Sequence, residues 1–221
     1  MVLYTQAQSC YEPAYAYKFG GNQIAQRITF AERRADGLIV VLGDCGSAAL
    51  NLGGVSVPAG TTTGHFLALM DSSGTFIQAV RVTSGTTTVR DMCLAPDGSI
   101  YITAGGDVTL TDGQLPGVIY SDQMFVMKFN PDFAYAWHRF STWIDADAEG
   151  WAVACDADGN IFCGGTFSAN ALVIGEDYVW NYGCYNCWSG DGFIFKLNET
   201  GEFQWMRSIG STADERVATL T

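Results

Sequence analysis

Short apolar and aromatic runs along this chain are separated by clusters of Gly, Asp, Asn, Ser and Pro, the pattern of β-strands joined by tight turns. Residues 26–32, 38–42, 65–70 and 76–82 read as four strands, with Asp36-Gly37 and Ser72-Ser73-Gly74 at the turns. The order returns in residues 89–95, 100–103, 124–129 and 134–140, with Pro96-Asp97-Gly98 turning the first pair. It returns again from Trp151, through Asp158-Gly159, to Phe203 and its neighbours. The runs lack a clean apolar–polar alternation, so each sheet is expected to be covered on both faces. No helical period competes with this reading.

The three sets are copies. Asp36, Asp97 and Asp158 are spaced by 61 residues each, and Phe66, Phe125 and Phe193 by 59 and 68. A fixed period of this size marks a repeat architecture. Complete units are expected at about 22–82, 83–140 and 141–208 of a single domain, 1–221, with strands of incomplete flanking units at 14–19 and 209–221. Asp-Gly between two strands predicts a type I′ turn, which needs positive φ at both central residues. That turn would pair Cys155 with Phe162 and Ala154 with Cys163, putting Trp151, Val153, Cys155 and Phe162 on one face. Ala152, Ala154, Ile161 and Cys163 would share the other, so Cys155 and Cys163 are not expected to be bridged. Four-stranded units covered on both faces stack around an axis as the blades of a β-propeller. The fold expected is therefore all-β: a propeller segment of three complete four-stranded blades plus partial blades at both ends. Strands 15–19 and 215–220 would have their sheet partners elsewhere, which predicts self-association of the isolated chain.

Composition narrows the partners. The chain is 48% hydrophobic and 15% charged, a core-building balance. Its net charge of −12 excludes nucleic acid, whose binding rests on basic patches. No run of 18 apolar residues offers a helical membrane span. The N-terminal residues show neither the basic nor the apolar region of a signal peptide. Seven cysteines, an odd number, leave at least one outside any disulfide within the chain.

Candidate chemistry is sparse. Cys184-Tyr-Asn-Cys187 is a lone C-x-x-C, whereas a structural zinc site needs four ligands. His65 and His138 fall in different units at strand positions, and no Gly-x-Ser-x-Gly elbow is present. Asp156-Ala-Asp158-Gly-Asn160 has the start of a calcium loop but runs on into strand residues, and reads as a turn. Asp145, Asp147 and Glu149 form an open acidic cluster, read as solvated surface. No catalytic residue, metal or cofactor is expected. The connection 166–192 is longer than its counterparts, and its segment 177–188 carries Trp180, Tyr182, Tyr185 and Trp188. Loops that depart from a repeat often carry function, and aromatics beside Asn suit sugar- or protein-binding surfaces. These four residues are the candidate binding site, with a protein (self or an assembly partner) or a glycan as ligand.

The pattern Asp-x-x-Gly-x-Ile-aromatic-x-x-Gly, followed by Phe-x-x-Lys-Leu-Asn-x-x-Gly-x-x-x-Trp, resembles the β-propeller repeat family abbreviated SBBP. Residues 191–210 carry it most fully, and the likeness runs from about Ala14 onward. Gln78 or Ala79 stands where Trp is expected, Leu69 where Lys128 and Lys196 stand, and Phe133 where Gly is expected. The resemblance implies a scaffold without a reaction, of a kind found mostly in large extracellular proteins. The expected function is a non-catalytic structural or binding module of a virion, such as a phage tail or capsid accessory protein, or of another extracellular assembly. A secreted adhesin or glycan binder, and an enzyme with an active site on a propeller face, are the alternatives.

Overall fold

A computed structural model describes residues 26–85, 88–105, 108–109, 119–120, 123–141, 148–168, 170–182 and 189–221. Its regular elements are strands, six in each of three successive repeats. Repeat 1 holds β1 (Arg27–Arg33), β2 (Ile39–Cys45), β3 (Leu50–Asn51), β4 (Ser56–Val57), β5 (Gly64–Met70) and β6 (Phe76–Ser84). Repeat 2 holds β7 (Thr88–Leu94), β8 (Ile100–Gly105), β9 (Val108–Thr109), β10 (Ile119–Tyr120), β11 (Phe125–Phe129) and β12 (Tyr135–Phe140). Repeat 3 holds β13 (Ala148–Cys155), β14 (Ile161–Phe167), β15 (Ala171–Ile174), β16 (Asp177–Trp180), β17 (Asp191–Leu197) and β18 (Phe203–Ile209).

The four long strands of each repeat pair antiparallel in chain order, β1-β2-β5-β6, β7-β8-β11-β12 and β13-β14-β17-β18. The short hairpin between the second and third long strands, read from the sequence only as a Gly- and Thr-rich connection, recurs in all three. Repeats 2 and 3 join through one pair, Glu149 opposite Gly105, in a curled eight-stranded sheet. The chain is thus all-β, and no ring of sheets closes among the described residues.

Six tight turns share one hydrogen-bond pattern. The amide of the fourth residue donates to the first carbonyl, as Gly37 to Arg34 (3.0 Å), and the first amide donates to the fifth carbonyl, as Arg34 to Leu38 (2.8 Å). The same pair of bonds closes the turns that begin at Asp71, Ala95, Asn130, Asp156 and Asn198. The Asp-Gly turns are therefore type I turns with a left-handed bulge residue, not type I′. Gly37, Gly98 and Gly159 lie at φ of +89°, +83° and +79°, while among non-glycine residues Phe133 alone has a positive φ, +67°. The loop gains a residue, and the pairing shifts by one. Cys155 faces Ile161, Ala154 faces Phe162 and Val153 faces Cys163. Cys155 and Cys163 thus share a face, contrary to the expectation from a two-residue loop, and Trp151 falls at a bulge. Cys155 is paired in a disulfide with Cys93 of β7, and Cys163 is free and buried.

The repeats stack face to face. One apolar cluster joins Val40, Leu42, Leu67 and Leu69 of repeat 1 to Ile100, Ile102, Phe125 and Phe133 of repeat 2. A second joins Tyr101 and Val126 on the other face of repeat 2 to Val153, Ile161, Phe193 and Phe195 of repeat 3. The outer face of repeat 1 is covered by its own hairpin through Leu50, Leu52 and Val57. First strands also bond across the joins. The Glu32 carboxylate accepts the Leu94 amide (3.0 Å), and Asp91 accepts the Val153 amide (2.9 Å). Burial raises both carboxyl pKa values, and the accepted amides pull them back in part.

Each join also seats a turn on the preceding repeat, and the two joins use opposite sizes. Gln78 of repeat 1 donates to the carbonyl of Asp132 (2.7 Å), and the large Phe133 fills the space beside Leu69 and Val80. In repeat 2 the equivalent of Gln78 is Trp137, paired with Lys128 as Gln78 is with Leu69. Its partner at the bulge position is Gly201, φ +79°, where a Cβ would come within 2.7 Å of the Trp137 ring.

Residues 210–221 form no regular strand. The expectation that 215–220 lacks partners within the chain is corrected at its start. Glu215 donates its amide to Gly190 (2.7 Å) and Val217 to Gly165 (3.1 Å), with Val217 lying over the bare Cα of Gly164. The expected strand at 14–19 lies outside the described residues.

Candidate functional site

A four-stranded meander places its first and third connections at one end and its second at the other. The tight-turn end of the stack is rigid, because side chains buttress the turns. Asp71 accepts the amides of Ser73 (2.8 Å) and Thr75 (2.9 Å), and Asn198 those of Thr200 (3.1 Å) and Glu202 (2.8 Å). Asp156 accepts Asp158 (3.0 Å) and Asn160 (2.8 Å) in the same way. The segment read as the start of a calcium loop thus has its carboxylate engaged by turn donors. The Asn160 side-chain bond leads in holding the Asp156 carboxyl below its ordinary pKa, and the Ser73 hydroxyl does the same for Asp71. Among the described residues no group of three or more His, Cys, Asp or Glu is placed to hold a metal ion. The turns after the three first strands converge on an open cleft of about 720 Å³ lined by Arg34, Asp36, Asp97 and Asp156. Arg34 is tied to Asp36 at 3.0 Å and to the Pro131 carbonyl at 3.1 Å.

The opposite end carries the hairpin insertions, and here the aromatic segment lies. Strand alternation sorts β16: Val179 turns inward to pack on the repeat 3 core, while Tyr178 and Trp180 turn outward. Tyr178 is 58% exposed, Trp180 57% and Tyr182 69%, large values for aromatic side chains. The rings of Tyr178 and Trp180 meet edge to face, 5.4 Å between centroids. The strip is held from beneath. The Asn181 amide donates to the Asn170 carbonyl (2.9 Å) and its side chain to Ser189 (3.2 Å), and the Tyr182 amide donates to the buried Asp191 carboxylate (2.6 Å). Burial raises the Asp191 pKa, and the Tyr182 amide opposes that shift. Of the four residues picked from the sequence, Trp180 and Tyr182 lie close together on this surface, while Tyr185 and Trp188 lie outside the described residues. Tyr178 was missed. The signal was available in the period of two that sets 178, 180 and 182 on one side of an extended segment.

A Thr–His–Asp series not visible in the sequence lies in repeat 1. His65 Nδ1 is 2.7 Å from Thr83 Oγ1, and Nε2 is 3.3 Å from Asp44, which Arg27 also pairs at 2.5 Å. The Thr83 oxygen also accepts the His65 amide (3.2 Å), so its proton points to Nδ1 and the ring carries its own on Nε2. Burial lowers the His65 pKa more than Asp44 raises it. Thr83 is fully buried, so its hydroxyl joins strands and meets no solvent. Beside it, buried Arg81 donates to the carbonyls of Gly46 (2.6 Å) and Pro58 (3.0 Å), which fixes the connection that the sequence left as a loop. His138 is half-buried, bonded to the Tyr135 hydroxyl and stacked on Phe140.

No helix among the described residues is long and apolar enough to cross a membrane. The sequence matches no family model and no curated protein.

Proposed function

We propose that the chain is a non-catalytic structural and binding module, a β-propeller segment of three blades that makes its contacts through the aromatic strip Tyr178–Trp180–Tyr182. The observation that carries this is the strip itself: three adjacent aromatic side chains, each more than half exposed, on a hairpin anchored to a rigid stack. Aromatics of this kind supply large contact area at little entropic cost, and they are enriched at recognition surfaces. The stacking of four-stranded repeats and the resemblance to SBBP repeats support the propeller reading. The buried Thr83 supports the non-catalytic one, since a nucleophile needs an approach. A virion or other extracellular assembly is the setting proposed, and the Cys93–Cys155 disulfide between repeats suits an oxidising compartment.

The test is binding by the intact chain to an oligosaccharide panel and, by sedimentation, to itself. A saturable partner whose affinity falls at least about tenfold in Trp180→Ala, with an unchanged melting temperature, is the expected result, since one well-packed aromatic is a typical hot spot. Turnover in a broad hydrolase screen that His65→Ala or His138→Ala abolishes would overturn the reading.

A further inference from the structure

The face of repeat 3 turned away from repeat 2 matches, residue for residue, the face by which repeat 2 holds repeat 3. On repeat 2, Tyr101, Lys128 and Trp137 stand in one row, with Val126 and Arg139 in the next. The Tyr101 and Trp137 rings are 5.8 Å apart, the Lys128 ammonium lies 5.4 Å from Tyr101, and the Arg139 guanidinium lies 5.3 Å from Trp137. The turn 198–202 of repeat 3 sits on this row. Lys128 donates to the Glu199 carbonyl (3.3 Å), Arg139 Nε donates to the Gly201 carbonyl (2.7 Å), and the Trp137 ring covers Gly201.

On repeat 3 the same positions hold Phe162, Lys196 and Trp205, then Ile194 and Arg207. Phe162 and Trp205 are 6.2 Å apart, Lys196 lies 5.4 Å from Phe162, and Arg207 lies 5.9 Å from Trp205. Arg207 Nη1 donates to its neighbour's carbonyl at 2.7 Å, as Arg139 does at 2.8 Å. The faces differ in cover. Tyr101 and Val126 are buried where Phe162 and Ile194 are half-buried, and Arg139 is half-buried where Arg207 is exposed.

A strand for an occupant is already in position. Arg216 stacks 4.5 Å from the Trp151 ring, and Arg90 lies 4.2 Å from it. Arg90, Trp151 and Arg216 are spaced by 61 and 65 residues. With the Glu215 and Val217 amides bonded to repeat 3, residues 214–217 stand where the first strand of a following repeat belongs.

We propose that the Phe162–Lys196–Trp205–Arg207 face is a docking surface for one occupant: a further four-stranded repeat of this kind whose first strand is the segment 214–220. It seats the turn between that repeat's third and fourth strands. Lys196 and Arg207 take two turn carbonyls, and the Trp205 ring requires glycine at the bulge position, as Trp137 does. The inference rests on the repeat reading and not on the aromatic strip, so Trp180→Ala leaves it untouched.

The experiment extends the full chain after Thr221 by a copy of residues 157–209, which continues the register of 214–220. 5-Fluorotryptophan labelling with ¹⁹F NMR reads Trp205, whose signal is assigned by Trp205→Phe. The expected result is loss of the solvent isotope shift at Trp205 in the extended chain. Arg207→Ala in the resident repeat, and Gly201→Val in the appended copy alone, should each restore the shift. An appended repeat that folds, by hydrogen exchange, while Trp205 stays wet overturns the proposal, and so does one that gains no protection. Shielding of Trp205 in the unextended chain that grows with concentration also overturns it, and makes a second copy the occupant.

Discussion

Phe133 holds a left-handed backbone conformation, φ +67°, that costs an ordinary residue about 1–2 kcal/mol. It is also buried in the cluster between repeats 1 and 2, where truncating a phenylalanine costs about 3–5 kcal/mol. The second effect is larger. Phe133→Gly relieves the strain but should still destabilise the protein by about 2 kcal/mol, measured as a lower urea midpoint. A raised midpoint would mean that the residue is held by its neighbours and does not hold them. The sequence showed that Phe133 occupies a glycine position. It did not show why, because the reason is Gln78 in the preceding repeat, 55 residues back.

At the scale of elements, the turns decide register. Gly159 is the left-handed residue of its turn, whereas Asp158 is not left-handed and uses its amide to bond Asp156. Gly159→Val forces a β-branched side chain into that conformation and should cost about 2 kcal/mol or more. Asp158→Asn keeps the amide bond and should stay within about 0.5 kcal/mol. Denaturation midpoints of the two variants check the order. The strands themselves were legible from the sequence, since apolar runs bounded by Asp-Gly or Asx-x-x-Gly recur at a fixed spacing. The register across β13 and β14 was not. Asp-Gly fits two turn types, and the choice between them moves Cys163 from one face to the other. Of the candidate site, the lengthened connection and its aromatics were legible, while Tyr178 became part of it only when residues 177–180 proved to be a strand. The Asp44–His65–Thr83 series was out of reach, because its members come from three strands that only pairing brings together.

For the whole molecule, the Cys93–Cys155 disulfide closes a loop of 62 residues and ties the first strand of repeat 2 to that of repeat 3. By the chain-entropy estimate a loop of this length contributes about 4 kcal/mol. Reduction, or Cys93→Ser with Cys155→Ser, should lower the unfolding free energy by about that amount, read from denaturation with and without dithiothreitol. Hydrogen exchange should show repeat 3 loosening first, because the disulfide acts at the join that holds it.

The inverted sizes at the two joins have a consequence for inheritance. Repeats of near-equal length invite unequal exchange between copies in a gene. Loss of repeat 2 would set Gln78 over Gly201 and leave a gap where Phe133 had been. Duplication of repeat 2 would drive Phe133 against Trp137. The two joins are keyed so that neither accident yields a well-packed neighbour, and the order of the repeats is therefore protected by the side chains between them.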